Sequence, residues 1–174
     1  DMGIADNDRV GLIGHSWGGY ETSYIITQTK RFAAAVSGAP VVNMTSAYNG
    51  VRWQTGKPRQ FQYERTQSRI GGSLWEYPER FIENSPIFHL EKQTTPVLIL
   101  FGDEDGAVPW WQGVEYMLAL RRLGKPGVFL QYKNEGHGLR REANKKDYDK
   151  RVMEWFNHYL RDQKAPDWIS KPQH

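Results

Sequence analysis

Four short apolar runs are typical of strands buried on both faces in a parallel sheet. They cover residues 9–13, 32–37, 96–101 and 128–132. Between and after these runs, apolar residues recur at helical spacing and predict helices over 18–28, 110–123 and 146–161. Because strands and helices alternate, we expect an open, mostly parallel α/β sheet flanked by helices.

Residues 41–95 interrupt this alternation, and we call them the excursion. They are polar, aromatic and basic, with turn signals at Asn49-Gly50 and Gly71-Gly72. We expect the excursion to pass over the active-site face of the sheet and to carry short helices. One of these is predicted at residues 77–83, where Pro78 suits the first helical position.

Composition narrows the possible classes of protein mainly by exclusion. No apolar run among the 174 residues approaches the ~20 residues of a membrane span. The net charge of +3 comes from scattered Lys and Arg beside 20 acidic residues, which argues against a nucleic-acid-binding face. Without cysteine, the chain has no disulfide, thiol nucleophile or Cys-ligated zinc. Residues 1–8 show no signal-peptide pattern, and composition leaves the compartment open.

A glycine-flanked serine follows the first apolar run directly. The pattern Gly14-x-Ser16-x-Gly18 is typical of a nucleophile elbow, a strained strand-to-helix turn that lifts a serine hydroxyl clear of the sheet. We expect glycine on both sides because a side chain at either position would collide with the neighbouring strand or helix. The same pattern occurs in ordinary loops, so its interpretation depends on partners elsewhere in the chain.

A serine nucleophile needs a base within hydrogen-bond reach and an acid that orients the base. His137 follows the last predicted strand between two glycines and is the candidate base. The other histidines are weaker candidates. His15 is too close to the serine in the chain, His158 falls on the polar side of the last helix, His89 lies in the excursion, and His174 is terminal.

The candidate acids follow the third predicted strand at the carboxyl edge of the sheet, where functional residues of α/β proteins lie. They are Asp103, Glu104 and Asp105. Asp103 is close enough to the strand to cap the turn, whereas Asp105 has a longer loop with which to reach the imidazole. The glycine and distal glutamate of a calcium loop are missing, so we expect no metal here.

Three motifs in this order resemble the catalytic domain of the prolyl oligopeptidase family of serine peptidases. They are Gly14-His15-Ser16-Trp17-Gly18-Gly19-Tyr20, Gly102-Asp103-Glu104-Asp105-Gly106-Ala107-Val108-Pro109 and Glu135-Gly136-His137-Gly138, and Asn84-Ser85-Pro86 also fits. The resemblance implies an α/β-hydrolase fold, a peptide substrate and no cofactor. In that family the acid stands three residues before the valine of an Asp-x-x-Val pattern, which here is Asp105.

The resemblance also implies a role for each site residue. Ser16 would attack the carbonyl, His137 would carry the proton, and Asp105 would hold the imidazole, with the backbone N–H of Trp17 as an oxyanion donor. Substrate-pocket side chains would fall at three positions after the second strand, where ordinary packing is the alternative. These positions are Val42, Met44 and Tyr48.

The chain departs from the family pattern in two ways. Ala107 stands where members often carry Arg or Asn that binds a substrate carbonyl. The strands that normally precede the elbow strand are also missing, so we expect residues 1–174 to be the C-terminal half of a catalytic domain. Its open strand edge would favour self-association or pairing with a complementary N-terminal fragment. An ester hydrolase with the same triad and a catalytically silent fragment are the alternatives.

Overall fold

The computed structural model describes residue 3 and residues 6–171. Its first elements are β1 (Gly11–His15), α1 (Trp17–Gln28), β2 (Ala34–Gly38), α2 (Met44–Tyr48), β3 (Val51–Arg52), β4 (Lys57–Pro58) and α3 (Pro78–Glu83). They are followed by β5 (Val97–Gly102), α4 (Trp111–Arg122), β6 (Gly127–Tyr132), α5 (Glu142–Arg161) and α6 (Asp167–Ser170). The excursion also contains a π-helical turn at Gln62–Thr66 and a 3₁₀ helix at Pro86–Lys92. The expectation that residues 1–8 hold no signal peptide concerns a segment that lies partly outside the described residues. His174 lies wholly outside them.

Four strands form one parallel sheet in the order β1-β2-β5-β6. Gly14 pairs with Ser37, Ser37 with Ile99, and Ile99 with Phe129, so one row of residues crosses the whole sheet. Parallel neighbours need long crossover connections, and here α1, the excursion and α4 supply them. The predicted parallel α/β sheet flanked by helices is therefore confirmed.

The core is built on the two central strands, β2 and β5, which are fully buried as their apolar runs predicted. Alternate side chains of a strand face opposite sides of the sheet. On one side, Ala35 and Ile99 pack with α1, α4 and the excursion. On the other side, Val36 and Leu98 pack against Trp155 of α5. Each face of the sheet is therefore covered by helices.

The elbow strand β1 differs from the prediction. We expected it to be buried on both faces, but it lies at one edge of the sheet, and its Ile13 side chain is 55% exposed. An apolar run indicates that a strand can be buried. It does not indicate whether the strand pairs with one neighbouring strand or with two. Among the described residues, no strand pairs with the outer edge of β1.

The excursion contributes side chains to the core. Its helix α3 begins at Pro78, as predicted. Tyr48, Tyr63 and Phe81 are buried together, and the rings of Tyr48 and Phe81 meet edge to face with their centroids 5.1 Å apart. Aromatic pairs in this arrangement stabilise a core beyond the area that they bury. The high aromatic content of the chain is thus partly explained by packing in this segment.

The two glycines of the elbow pattern are not equivalent. A Cβ added to Gly14 would lie 2.1 Å from the carbonyl oxygen of Gly18, so the expected collision is present there. A Cβ on Gly18 would meet nothing within 4 Å, so the steric reason given for that position is wrong. The second close approach occurs one residue later. A Cβ on Gly19 would lie 2.3 Å from the carbonyl oxygen of Gly38.

We predict opposite results for alanine at the two positions. Gly14→Ala forces α1 away from β1 and is expected to cost about 3 kcal/mol in the free energy of unfolding, the upper end for overpacking. Gly18→Ala has room for its methyl group in the first turn of α1 and is expected to be neutral, or stabilising by up to about 1 kcal/mol. Urea denaturation of the two variants measures the difference. Equal destabilisation would contradict the account of the turn.

Candidate active site

Ser16 lies at the turn between the end of β1 and the start of α1. Its backbone has φ 59° and ψ −118°, a conformation that non-glycine residues rarely adopt. The Ser16 N–H donates to the Gly38 carbonyl at 2.8 Å, and its own carbonyl accepts from the Tyr20 N–H at 3.0 Å. These bonds from both sides hold a strained backbone in place, as functional turns require.

A chain of hydrogen bonds connects Ser16 to residues after β5 and β6. The Ser16 hydroxyl lies 2.7 Å from Nε2 of His137, and Nδ1 of His137 lies 2.9 Å from Oδ2 of Asp105. A carboxylate can only accept, so Nδ1 carries the proton and Nε2 is left to accept from the serine hydroxyl. The structure thus brings these three predicted site residues together.

The Asp105 carboxylate has no exposed side-chain surface, whereas the His137 side chain is 27% exposed. Oδ1 of Asp105 accepts from the backbone N–H groups of Ala107 and Val108, each at 2.8 Å. These two donors orient the carboxylate and leave Oδ2 for the imidazole. Burial and three donors together make Asp105 a fixed partner for His137.

Asp103 has a different place. Its Oδ1 accepts from the Asn134 N–H at 2.6 Å, which joins the end of β5 to the loop after β6. The backbone adds a second link, since the Glu104 N–H donates to the Glu135 carbonyl at 2.9 Å. Asp103 therefore helps to connect the two loops, and the structure does not bring it to the imidazole.

His15, which sequence reasoning set aside, lies against the candidate base. Its Nε2 donates to the backbone carbonyl of His137 at 2.7 Å, and the two rings have centroids 5.1 Å apart. Desolvation lowers the pKa of the His15 imidazole, and the hydrogen bond to His137 partly opposes this shift. His15 thus ties the elbow to the His137 loop, and only the adjacency of His15 to Ser16 hinted at this role.

Glu135 is a second residue that sequence reasoning missed, although it belongs to the Glu135-Gly136-His137-Gly138 motif. Only 1% of its surface is exposed. Its carboxylate accepts from the N–H groups of Arg140 at 2.7 Å and Arg141 at 3.0 Å, and from Nδ2 of Asn144 at 2.6 Å. It therefore fixes the loop that carries His137 against the start of α5, which begins four residues earlier than predicted.

A cavity of about 90 Å³ opens beside Ser16 and His137. Trp17, Val41 and Val108 line it, together with polar residues of the excursion. The predicted pocket residues are not among them, because their side chains are buried in the core instead. These are Val42, Met44 and Tyr48. Trp17 is the first residue of α1, so the helix offers its N–H no intrahelical acceptor.

A larger cavity of about 830 Å³ lies along β6 between α4 and α5, and neither Ser16 nor His137 lines it. The candidate site is identified by the chemistry of its side chains and not by the size of a cavity.

Within residue 3 and residues 6–171, no three His, Asp or Glu side chains lie close enough together to form a possible metal site. None of the helices in that part of the chain has the length and apolar character needed to cross a bilayer.

A parallel sheet flanked by helices, with a serine at a strained strand-to-helix turn and an aspartate and a histidine after later strands, defines the α/β-hydrolase fold. Residues 1–163 match the prolyl oligopeptidase family, and the chain belongs to that family.

Two relatives of this chain are named as a peptidase or as an acylamino-acid-releasing enzyme. The chain is 33% identical over 166 residues to the acylamino-acid-releasing enzyme of Arabidopsis thaliana, covering 92% of this chain and 21% of the relative. It is 30% identical over 158 residues to the uncharacterized peptidase YuxL of Bacillus subtilis, covering 89% of this chain and 23% of the relative. The chain therefore spans about a fifth to a quarter of the length of these relatives.

Solved structures agree with this fold. A puromycin-hydrolyzing peptidase of Mycobacterium tuberculosis superposes with a TM-score of 0.79 at 29% identity, over 91% of this chain and 23% of that chain. An acylaminoacyl peptidase in complex with Z-Gly-Gly-Phe-chloromethyl ketone gives a TM-score of 0.79 at 24% identity, over 96% of this chain and 26% of that chain. The second likeness supports the fold alone.

We predict that Glu135→Gln destabilises the chain in a pH-dependent way. The Arg140 backbone N–H, opposed by desolvation, holds the pKa of Glu135 below its ordinary value. The stabilisation is therefore present above the unfolded-state pKa, about 4.3, and is lost as the pH falls through the lowered folded-state value. Urea denaturation from pH 7 to pH 3 should show the native chain losing its advantage over Glu135→Gln in that window.

The matched control is Glu142→Gln, at the exposed start of α5, where the carboxylate lies 3.9 Å from Lys145. Exposed ion pairs contribute little, so this change should have a small effect at every pH. If the Glu135→Gln difference stayed constant with pH, the role given to the carboxylate would be wrong.

Proposed function

We propose that this chain carries the catalytic centre of a serine peptidase in which Ser16, His137 and Asp105 act together. The observation that carries the proposal is the continuous hydrogen-bonded chain from the Ser16 hydroxyl through the imidazole to a buried carboxylate. A serine hydroxyl is a weak nucleophile at neutral pH, and an adjacent, oriented base is what activates it.

In the proposed reaction, Ser16 Oγ bonds to the substrate carbonyl carbon while its proton passes to Nε2 of His137. Asp105 holds Nδ1–H and stabilises the imidazolium that forms. The C–N bond then breaks, the imidazolium returns the proton to the leaving amine, and water hydrolyses the acyl-enzyme by the same route. The Trp17 N–H would stabilise the oxyanion, and one such donor is worth roughly 10²–10³ in rate.

Family membership favours peptide bonds as substrates over carboxylic esters. Both the acylamino-acid-releasing enzyme and the puromycin-hydrolyzing peptidase have names that denote peptidase or aminoacyl chemistry. An esterase would use the same three residues, since the chemistry of the triad does not select the acyl compound. A panel of matched peptide amides and esters separates the two. Turnover of esters alone would contradict the assignment as a peptidase.

We also propose that residues 1–174 are the C-terminal half of a catalytic domain, and that further strands or a second copy of the chain cover the edge of β1. The proposal is supported by the exposure of Ile13 on β1, whose outer edge pairs with no strand in the described part of the chain. An uncovered apolar edge favours pairing with another chain. Sedimentation velocity that finds a stable, folded monomer would count against it.

We predict that a neutral fluorophosphonate labels the chain at Ser16 and that Ser16→Ala abolishes the label. Asp105→Asn should slow labelling by up to about 10⁴-fold, since the amide no longer holds the required imidazole tautomer. Asp103→Asn is the matched control because its side chain contacts Asn134 and not His137. Mass spectrometry of labelled peptides gives site and rate. If Asp103→Asn had the larger effect, the choice of acid would be reversed.

A further inference from the structure

The excursion places an arginine in the cavity beside Ser16. Arg59 is only 3% exposed, yet its side chain lines this cavity together with Ser16 and His137. One terminal nitrogen, Nη1, donates to the Ala107 carbonyl, and Nη2 donates to the Tyr63 hydroxyl at 3.3 Å. Nε is buried without a hydrogen-bond partner among the described residues.

The Arg59 charge also has no counter-ion in the described part of the chain, where no carboxylate oxygen lies within 4.0 Å of its nitrogens. Asp105 lies on the neighbouring loop, and both of its carboxylate oxygens already have hydrogen-bond partners. Its Oδ1 accepts from Ala107 and Val108, and its Oδ2 faces His137. Removing a guanidinium from water is costly unless a carboxylate or similar group compensates it. A ligand that entered the cavity could supply that group.

The other polar groups of the cavity fit the same ligand. Arg52 lines it and forms no ion pair within the described residues, and neither Asp nor Glu is among its lining side chains. Gln62 also lines it, and its Oε1 is buried without a donor in that part of the chain. The cavity thus presents cationic side chains, and no anionic one, to a ligand.

The size of the cavity limits the ligand to a small group. A water molecule occupies about 30 Å³ in the liquid. The cavity volume of about 90 Å³ exceeds that share, which is enough for a small group such as the carboxylate end of an Asp or Glu side chain. Arginine recognises such a carboxylate through paired hydrogen bonds in one plane.

We propose that Arg59 is the centre of a carboxylate-binding subsite, and that the substrate carries an acidic side chain on the acyl side of the bond to be cleaved. This inference rests on the proposed function, because only attack by Ser16 makes the neighbouring cavity a substrate subsite. It gives the excursion a role in specificity: the excursion brings Arg59 beside a nucleophile that belongs to a different part of the chain.

Two N-acetylated tripeptide p-nitroanilides, ending in Glu or in Gln at the cleaved bond, test the subsite. The native chain should cleave the Glu substrate with a kcat/KM roughly 10- to 100-fold above that of the Gln substrate, the range for a hydrogen bond to a charged group. In Arg59→Gln this ratio should fall to about one. Arg59→Lys should give an intermediate ratio because it keeps the charge without the planar fork.

Arg65→Gln is the matched control, since Arg65 is exposed on the adjoining π-helical turn and should leave the ratio unchanged. Circular dichroism checks that each variant is folded, and the ratio does not depend on the fraction of active protein. Equal cleavage of both substrates by the native chain would overturn the proposal. An equal loss on both substrates in Arg59→Gln would also overturn it, because Arg59 would then bind a group that both share.

A binding experiment separates failure of the subsite from failure of the proposed function. In Ser16→Ala, calorimetry should show the α-amide of N-acetylglutamate binding at least tenfold more tightly than the α-amide of N-acetylglutamine, and Arg59→Gln in the same background should remove the difference. If fluorophosphonate does not label Ser16 but this binding difference is present, the subsite stands and the catalytic role falls. Equal binding of the two compounds refutes the subsite whatever the labelling shows.

Discussion

The close approach of α1 to strands β1 and β2 is the constraint on which the site depends. A side-chain carbon on Gly14 or Gly19 would lie 2.1 Å or 2.3 Å from a backbone carbonyl oxygen. Because the backbones meet here without intervening side chains, Ser16 is held between them at φ 59°. Its N–H donates to Gly38 of the next strand, so the strained turn is fixed to the centre of the sheet.

This fixed turn meets the loops that leave β5 and β6 at the same edge of the sheet. Two hydrogen bonds join these loops to each other. One runs from the Asn134 N–H to the Asp103 carboxylate, and the other from the Glu104 N–H to the Glu135 carbonyl. The imidazole of His137 is therefore held by its own loop as well as by its two hydrogen-bond partners. Preorganisation of this kind lets a site work without rearrangement at the moment of reaction.

The fold could be predicted from sequence because its signals are local: apolar runs, helical periodicity and turn glycines lie within a few residues of the elements they specify. Long-range contacts carry no such signal. The exposure of β1 depends on its place at the sheet edge, and Arg59 is held by a hydrogen bond to Ala107, 48 positions away. Asp103 and Asp105 share one loop, so residue type could not separate them. Loop length and the family pattern both favoured Asp105, which is the one that the structure places beside His137.

The central claim is that a buried carboxylate orients the imidazole that faces Ser16. It is tested most directly by NMR of the chain labelled with ¹⁵N-histidine. The account predicts one strongly downfield, slowly exchanging imidazole proton, bonded to Nδ1 of His137 and lost in Asp105→Ala but retained in Asp103→Ala. Absence of this proton from the native chain, or its persistence in Asp105→Ala, would contradict the account.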